Sequence, residues 1–238
     1  MPRLLILKTG DKLPALNDVP GDFEHWIAQG MGLARAEWRV VAVHRGEPLP
    51  PPEQVPAVAI TGSAAMVTDG SDWIRRSAAW LRQLVPGEVP VLGICFGHQL
   101  IAHALGGAVG DNPRGIEVGT VTVRHTAAEG DPVFGALPAS FPAQASHRQA
   151  VLSLPPEARR LATSARDANH GFAFGARAWG VQFHPEFDAR ISRAYIRHYR
   201  AALSDQGDDP QAILAGCAET PFGASVLQRF AQLLPPGD

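Results

Sequence analysis

The sequence predicts an α/β fold: a mostly parallel, doubly wound sheet with helices on both faces, a small antiparallel sheet and a short helical C-terminal tail. Three observations predict it. Short apolar runs in the first half each end in a turn, stretches with helical spacing of apolar residues separate those runs, and from residue 107 the texture changes to short alternating segments joined by Pro, Gly and Asp.

The apolar runs at 4–7, 38–43, 57–60 and 89–94 read as buried strands. Between and after them, residues 22–33, 73–84 and 99–105 space their apolar residues as amphipathic helices do. Strands and helices that alternate at this length imply a parallel sheet of the flavodoxin-like kind, because a parallel connection needs a helix to cross back. The segments 118–123, 144–152 and 171–176 alternate as antiparallel strands do, and 181–183 reads as a strand stopped by Pro185. Residues 189–203 read as a helix. After a Gly/Asp break at 204–210, helical segments follow around 211–217 and 225–234. Residues 1–205 are expected to form the main domain. The remainder, 206–238, is too short for its own core and is expected to pack on that domain as an extension.

Composition bounds the function. A chain of 238 residues with 45% hydrophobic and 18% charged residues reads as an ordinary soluble globular protein. A net charge of −2 with dispersed Lys and Arg gives no electrostatic footprint for nucleic acid. The N-terminal apolar run is too short for a signal sequence, and no stretch approaches the roughly 20 apolar residues of a membrane span. Two distant cysteines, Cys95 and Cys217, make neither a disulfide framework nor a zinc site. The expectation is a cytoplasmic protein with reduced thiols.

The strongest local signal is Gly93-Ile94-Cys95-Phe96-Gly97, at a strand-to-helix junction. This is the nucleophile-elbow spacing with Cys in place of Ser. A tight turn there forces strained backbone on the central residue, and small neighbours relieve the crowding. It also places the sulfur at a helix N-terminus, whose positive dipole end favours thiolate. An isolated Cys would read as a buried structural residue; the elbow spacing reverses that preference. A cysteine nucleophile wants a histidine and a group to orient it. Of nine histidines, His184 stands out, because Pro185 fixes the backbone after it and Glu186 can turn back toward its ring. The alternative, a strand-end histidine beside a helix-capping acid, loses weight once the elbow is considered with it.

Other candidates are weaker. His98 and His103, five residues apart, do not share a helical face and do not suggest a metal pair. Asp22, Glu24 and Asp69 fall near predicted strand ends, where solvated acids are the commoner case. No nucleotide-binding loop is recognisable. Neither a cofactor nor a metal is expected.

Residues 93–99, GICFGHQ, and 180–186, GVQFHPE, resemble the class I, triad-type glutamine amidotransferase family. The resemblance runs from Leu4 to about Tyr199 and is greatest to stand-alone members similar to the amidotransferase domain of GMP synthase. It implies that Cys95 is the nucleophile forming a γ-glutamyl thioester, His184 the base and Glu186 its orienter. It further implies that the backbone N–H groups of Gly62 and Phe96 face the oxyanion. Gln99 would line the substrate pocket, and Ser146, His147 and Arg148 would lie where the family grips the substrate's amino-acid end. His147 reads equally as a substrate contact or a strand histidine. Two departures bear on substrate identity: Gly62-Ser63-Ala64 where Gly-Gly-Pro is common, and Arg148 where a Gly is common.

Three functions remain open from the sequence. One is a glutaminase or amidotransferase acting on a small-molecule substrate, with ammonia passed to an acceptor or to a separate synthetase or ligase subunit. Another is a γ-glutamyl peptide or amide hydrolase. The third is a non-catalytic regulatory module of the same fold. No nucleic-acid or membrane partner is expected.

Overall fold

A computed structural model of the chain describes residues 2–87, 89–126 and 130–237. Its strands are β1 (Leu4–Lys8), β2 (Trp38–Ala42), β3 (Val58–Ile60), β4 (Val91–Ile94), β5 (Ala108–Asp111), β6 (Glu117–His125), β7 (Ser140–His147), β8 (Gln149–Ser153), β9 (Arg159–Thr163), β10 (Gly171–Phe174) and β11 (Ala178–Val181). Its α-helices are α1 (Phe23–Gly30), α2 (Asp72–Leu84), α3 (Phe96–Ala104), α4 (Ala189–His198), α5 (Arg200–Asp205), α6 (Pro210–Ala215) and α7 (Pro221–Ala231).

Nine strands form one sheet in the order β2-β1-β3-β4-β11-β10-β9-β6-β7. The first five run parallel. The next four are antiparallel to their neighbours. The antiparallel strands expected from the alternating texture therefore divide: β5 and β8 make a separate two-stranded sheet, and the rest extend the central one.

The core sits on both faces of the sheet because side chains alternate along each strand. Leu4, Ile6, Ala59 and Leu92 point to one face, where α1 brings Ile27 and α7 brings Val226, Leu227 and Phe230. Leu5, Leu7, Val58, Ile60 and Val91 point to the other, against Ile74, Ala78 and Leu81 of α2 and Leu100 and Ile101 of α3. All five residues of β1 are buried, as a central parallel strand covered twice requires. A third cluster lies under α4, where Ile191 and Ile196 meet Leu16, Ile116 and Val118.

Two boundaries differ from the sequence expectation in ways that shape the site. The alternating run 144–152 is two strands, β7 in the large sheet and β8 in the small one, broken at Arg148. Burial continues on both sides of the break, so the sequence does not reveal a change of sheet there. The strand before Pro185 is β11, which ends at Val181. Beyond it the backbone leaves the sheet: Gln182 N–H donates to His170 O at 2.9 Å and His184 N–H to Gln144 O at 2.7 Å. Among the described residues no helix is long and apolar enough to cross a membrane.

Candidate functional site

The elbow is built by steric exclusion. Cys95 joins β4 to α3 with φ 51° and ψ −101°, a left-handed conformation costing a side-chain-bearing residue on the order of 1–3 kcal/mol. It is pinned from both ends: its N–H donates to Val181 O at 2.8 Å, and its carbonyl accepts from Gln99 N–H at 3.1 Å. A Cβ on Gly93 would lie 2.5 Å from the backbone C and O of Gly97, and one on Gly97 would lie 2.6 Å from Ile60 O. Only hydrogen fits at either position. The sulfur sits at the N-terminus of α3, 3.6 Å from the Ser146 carbonyl.

His184 meets the sulfur from the segment that follows the adjoining strand β11. Its Nδ1 lies 2.7 Å from Glu186 Oε1, and the Cys95 sulfur is close enough to act on the ring electrostatically. Phe187 stacks on the ring at 4.0 Å between centroids, with Phe23 and Tyr195 further out. The backbone of Gly62 closes the remaining side: a Cβ there would lie 2.8 Å from His184 Cε1. The imidazole is thus fixed in one orientation between a carboxylate and a thiol.

Burial resists charge on this ring, but the Glu186 carboxylate and the Cys95 sulfur outweigh it and push the His184 pKa up to about 10. A folded pKa above the unfolded value of 6.5 contributes stability that is complete below about pH 6.5 and is lost as pH rises through about 10. The Tm difference between the wild type and Glu186→Gln should therefore narrow across that window in a series of thermal melts. A gap that stays constant from pH 6.5 to 10 contradicts the shift. The same variant should lower kcat by roughly 10²–10⁴-fold without eliminating it, since an orienter is less critical than the base.

The two backbone donors are placed by neighbouring elements. Phe96 is the first residue of α3, so its N–H has no acceptor within the helix. Thr9 Oγ1 lies 2.9 Å from Thr61 O and fixes the peptide plane that carries the Gly62 N–H. Ser63, in the turn that departs from the family pattern, donates its hydroxyl to Thr9 O at 2.7 Å and ties the turn to the end of β1.

The four residues expected to line the substrate pocket are placed differently from one another. Ser146 presents its carbonyl to Cys95. Gln99 is buried, its Nε2 donating to Gln149 O at 2.7 Å and to Gln182 Oε1 at 3.0 Å. His147 points inward, with Nδ1 3.0 Å from Gln149 O and Nε2 3.0 Å from Glu117 Oε2. Arg148, in the turn between β7 and β8, is exposed. It lines an open cleft of about 470 Å³ with Met66, Thr68, Gly110, Asp111 and Gln149.

Other sequence candidates have structural partners. Asp22 and Glu24 both pair with the buried ammonium of Lys8, at 2.8 and 2.9 Å. Asp69 accepts from Met66 N–H. His98 is fully buried against Phe172, and burial lowers its pKa to about 4, so it is held neutral. Cys217 is buried with its sulfur 3.5 Å from Ala189 O. Sequence reasoning missed Thr9, Gln182, Phe187 and Tyr195. For Thr9 a signal existed, a polar residue followed by Gly at the end of a buried strand. For Gln182 there was none, because it meets Gln99 from 83 positions away.

Comparison with known proteins shows the family and the likeness of fold. The sequence profile described as glutamine amidotransferase class-I matches residues 15–198. The chain is 32% identical over 169 residues to a glutamine-hydrolyzing GMP synthase subunit of Ignicoccus hospitalis, covering 70% of this chain and 84% of that one. It is 33% identical over 135 residues to gamma-glutamyl peptidase 5 of Arabidopsis thaliana, covering 56% of this chain and 54% of that one. The chain spans about half the length of several curated relatives it matches, this peptidase among them. A glutamine amidotransferase structure from Thermotoga maritima superposes with a TM-score of 0.73, covering 98% of this chain and 97% of that one at 23% identity, which is likeness of fold. The chain belongs to the class-I glutamine amidotransferase family.

Proposed function

We propose that this protein hydrolyses the side-chain amide of glutamine through a γ-glutamyl thioester on Cys95, releasing ammonia. The observation that carries the proposal is the placement of His184 between the Cys95 sulfur and the Glu186 carboxylate, at the edge of the sheet where α/β folds bind ligands.

In this reading the sulfur attacks the γ-carbonyl carbon, forming the C–S bond, and the carbonyl oxygen takes up negative charge. The N–H groups of Gly62 and Phe96 stabilise that oxyanion. His184 gives its proton to the amide nitrogen, the C–N bond breaks and ammonia leaves. Water then attacks the thioester while His184 accepts its proton, glutamate departs, and the Cys95 sulfur is regenerated. Glu186 holds the ring and stabilises its charged form throughout. A relative that is a separate GMP synthase subunit supports the idea that ammonia passes to a partner synthetase.

A second reading is favoured by one feature. No ion pair or hydrogen bond joins the Arg148 guanidinium to another described residue, and it faces a cleft whose floor residue Gln149 is tied to Gln99, one helical turn after Cys95. A free cation there suits the carboxylate of a leaving amino acid, and gamma-glutamyl peptidases are among the relatives. The thioester is the same; the leaving group is an amino acid or peptide instead of ammonia.

Incubation of the purified chain with glutamine and with γ-glutamyl dipeptides, following ammonia and glutamate, tests both. Ammonia from glutamine supports amide hydrolysis, glutamate released only from the dipeptides selects the peptidase, and no turnover of either removes both. If the dipeptides are substrates, Arg148→Gly should reduce kcat/KM for them by roughly 10–100-fold, the worth of a charged hydrogen bond. A γ-glutamyl amide lacking the second carboxylate should be little affected. Equal loss on both would contradict the assigned role of Arg148.

A further inference from the structure

Where β6 and β7 meet the start of β10 lies a buried group of side chains that the amide chemistry does not use. Glu117 of β6, His147 of β7 and His170, just before β10, are each less than a tenth exposed. Their ligating atoms all lie within 4.8 Å of one another. Glu117 Oε2 is 3.0 Å from His147 Nε2 and 3.6 Å from His170 Nδ1.

The hydrogen bonds around the group set a problem of satisfaction. Gln149 O can only accept, so His147 Nδ1, 3.0 Å away, must carry a hydrogen. In the neutral ring the other nitrogen, Nε2, is then a lone pair aimed at a carboxylate oxygen. A proton on Nε2 resolves that contact alone. It leaves His170 fully buried with neither ring nitrogen hydrogen-bonded, and Asp167 Oδ2 buried and unpartnered 3.7 Å from His170 Nδ1. Moreover, neither Glu117 nor Asp167 is in ion-pair or hydrogen-bond contact with a Lys or Arg among the described residues. One carboxylate and two imidazoles converge on one small volume, with a second carboxylate, Asp167, beside His170.

We propose that Glu117, His147 and His170 bind a divalent metal, Zn²⁺, with Asp167 as a second carboxylate beside His170. Bonds of about 2.0–2.1 Å in a tetrahedron hold ligand atoms roughly 3.3–3.4 Å apart, and the observed 3.0 and 3.6 Å separations bracket that spacing. The charge of the ion matches that of the two carboxylates. The supporting shell is in place as well: Ser164 Oγ holds Glu117 at 2.8 Å, and Gln149 O fixes the His147 tautomer. A cavity of about 490 Å³, lined by Val118, Arg166, Asp208 and Ile213, reaches Glu117. The ion's role is structural, anchoring the end of β7 and the turn that presents Arg148. Such a site runs against the sequence expectation of no metal, and spacing could not have signalled it because the ligands lie on three separate segments.

The test strips the full chain with a chelator, reloads it with zinc chloride, removes the excess and measures metal by mass spectrometry. One zinc per chain is expected. Zinc at about 100 times its Kd should raise the Tm of the stripped chain on the order of 5–10 °C. Cys95→Ala must keep the zinc, which places it outside the thiol site, and Glu117→Gln and His170→Ala must lose it. Should those two variants fail to fold, Co²⁺ bound to the stripped wild type must give the intense visible absorption of a tetrahedral site. A reloaded chain that holds no zinc and shows no Tm change overturns the proposal. Full retention of zinc by His170→Ala, or its loss in Cys95→Ala, does so equally.

Discussion

Cys95→Ala should abolish turnover, by roughly 10⁴-fold or more in kcat, while the protein remains folded. The size of the loss follows from the chemistry: without the sulfur no thioester forms, and His184 and the oxyanion donors can assist only direct attack by water. The small structural effect follows from the contacts. The sulfur makes one weak hydrogen bond to the backbone, 3.6 Å to Ser146 O, and alanine keeps the Cβ that already tolerates φ 51°. A change in stability within about 1 kcal/mol is expected by urea denaturation. Glutamate and ammonia release measured beside that denaturation curve separates loss of chemistry from loss of fold. Activity near that of the wild type would refute the nucleophile assignment.

Gly93→Ala should be the most damaging single-methyl change near the site. The added carbon would meet the carbonyl group of Gly97 at 2.5 Å, and backbone cannot swing aside as a side chain does. Relief requires the first turn of α3 to retreat from β4, and Gly97 is itself pressed against Ile60 O on β3. Overpacking of this kind costs about 3 kcal/mol. A displacement of the elbow by on the order of 1 Å would cost roughly 10²-fold in activity besides. Gly216→Ala is the matched control, because its Cβ would find its nearest neighbour at 3.5 Å, an ordinary contact. Equal urea midpoints for the two variants would show that the elbow has more slack than its distances allow.

How far the fold could be read from the sequence depended on which forces shape each element. The parallel strands were legible because burial on both faces makes them continuous apolar runs between turn residues, as in Leu4–Lys8. The elbow was legible for a stronger reason: Gly93 and Gly97 flank Cys95 at a spacing with a single steric explanation. By contrast β9 opens with two exposed arginines, Arg159 and Arg160, and offers no alternation to read. The break at Arg148 was hidden because buried residues continue on both sides of it, through His147 and from Gln149.

The site divides along the same line. Cys95, His184 and Glu186 carry local signatures in short segments, and the structure brings them together. The inward turn of His147 depends on Glu117, 30 residues earlier on the neighbouring strand, and the bond between Gln99 and Gln182 depends on α3 crossing β11. Such pairings are set by topology, which periodicity does not specify. The acids Asp22 and Glu24, read as solvated acids near strand ends, both pair with Lys8 at the end of β1.

Everything in the proposed chemistry turns on a covalent acyl intermediate forming on one particular sulfur. Intact-protein and peptide mass spectrometry, after exposure to an electrophilic glutamine analogue that alkylates an activated thiol, reads this out. One adduct per chain is expected, on the peptide containing Cys95, and none in Cys95→Ala. An adduct on Cys217, or equal labelling of both cysteines only after unfolding, would show that Cys95 is not the activated thiol.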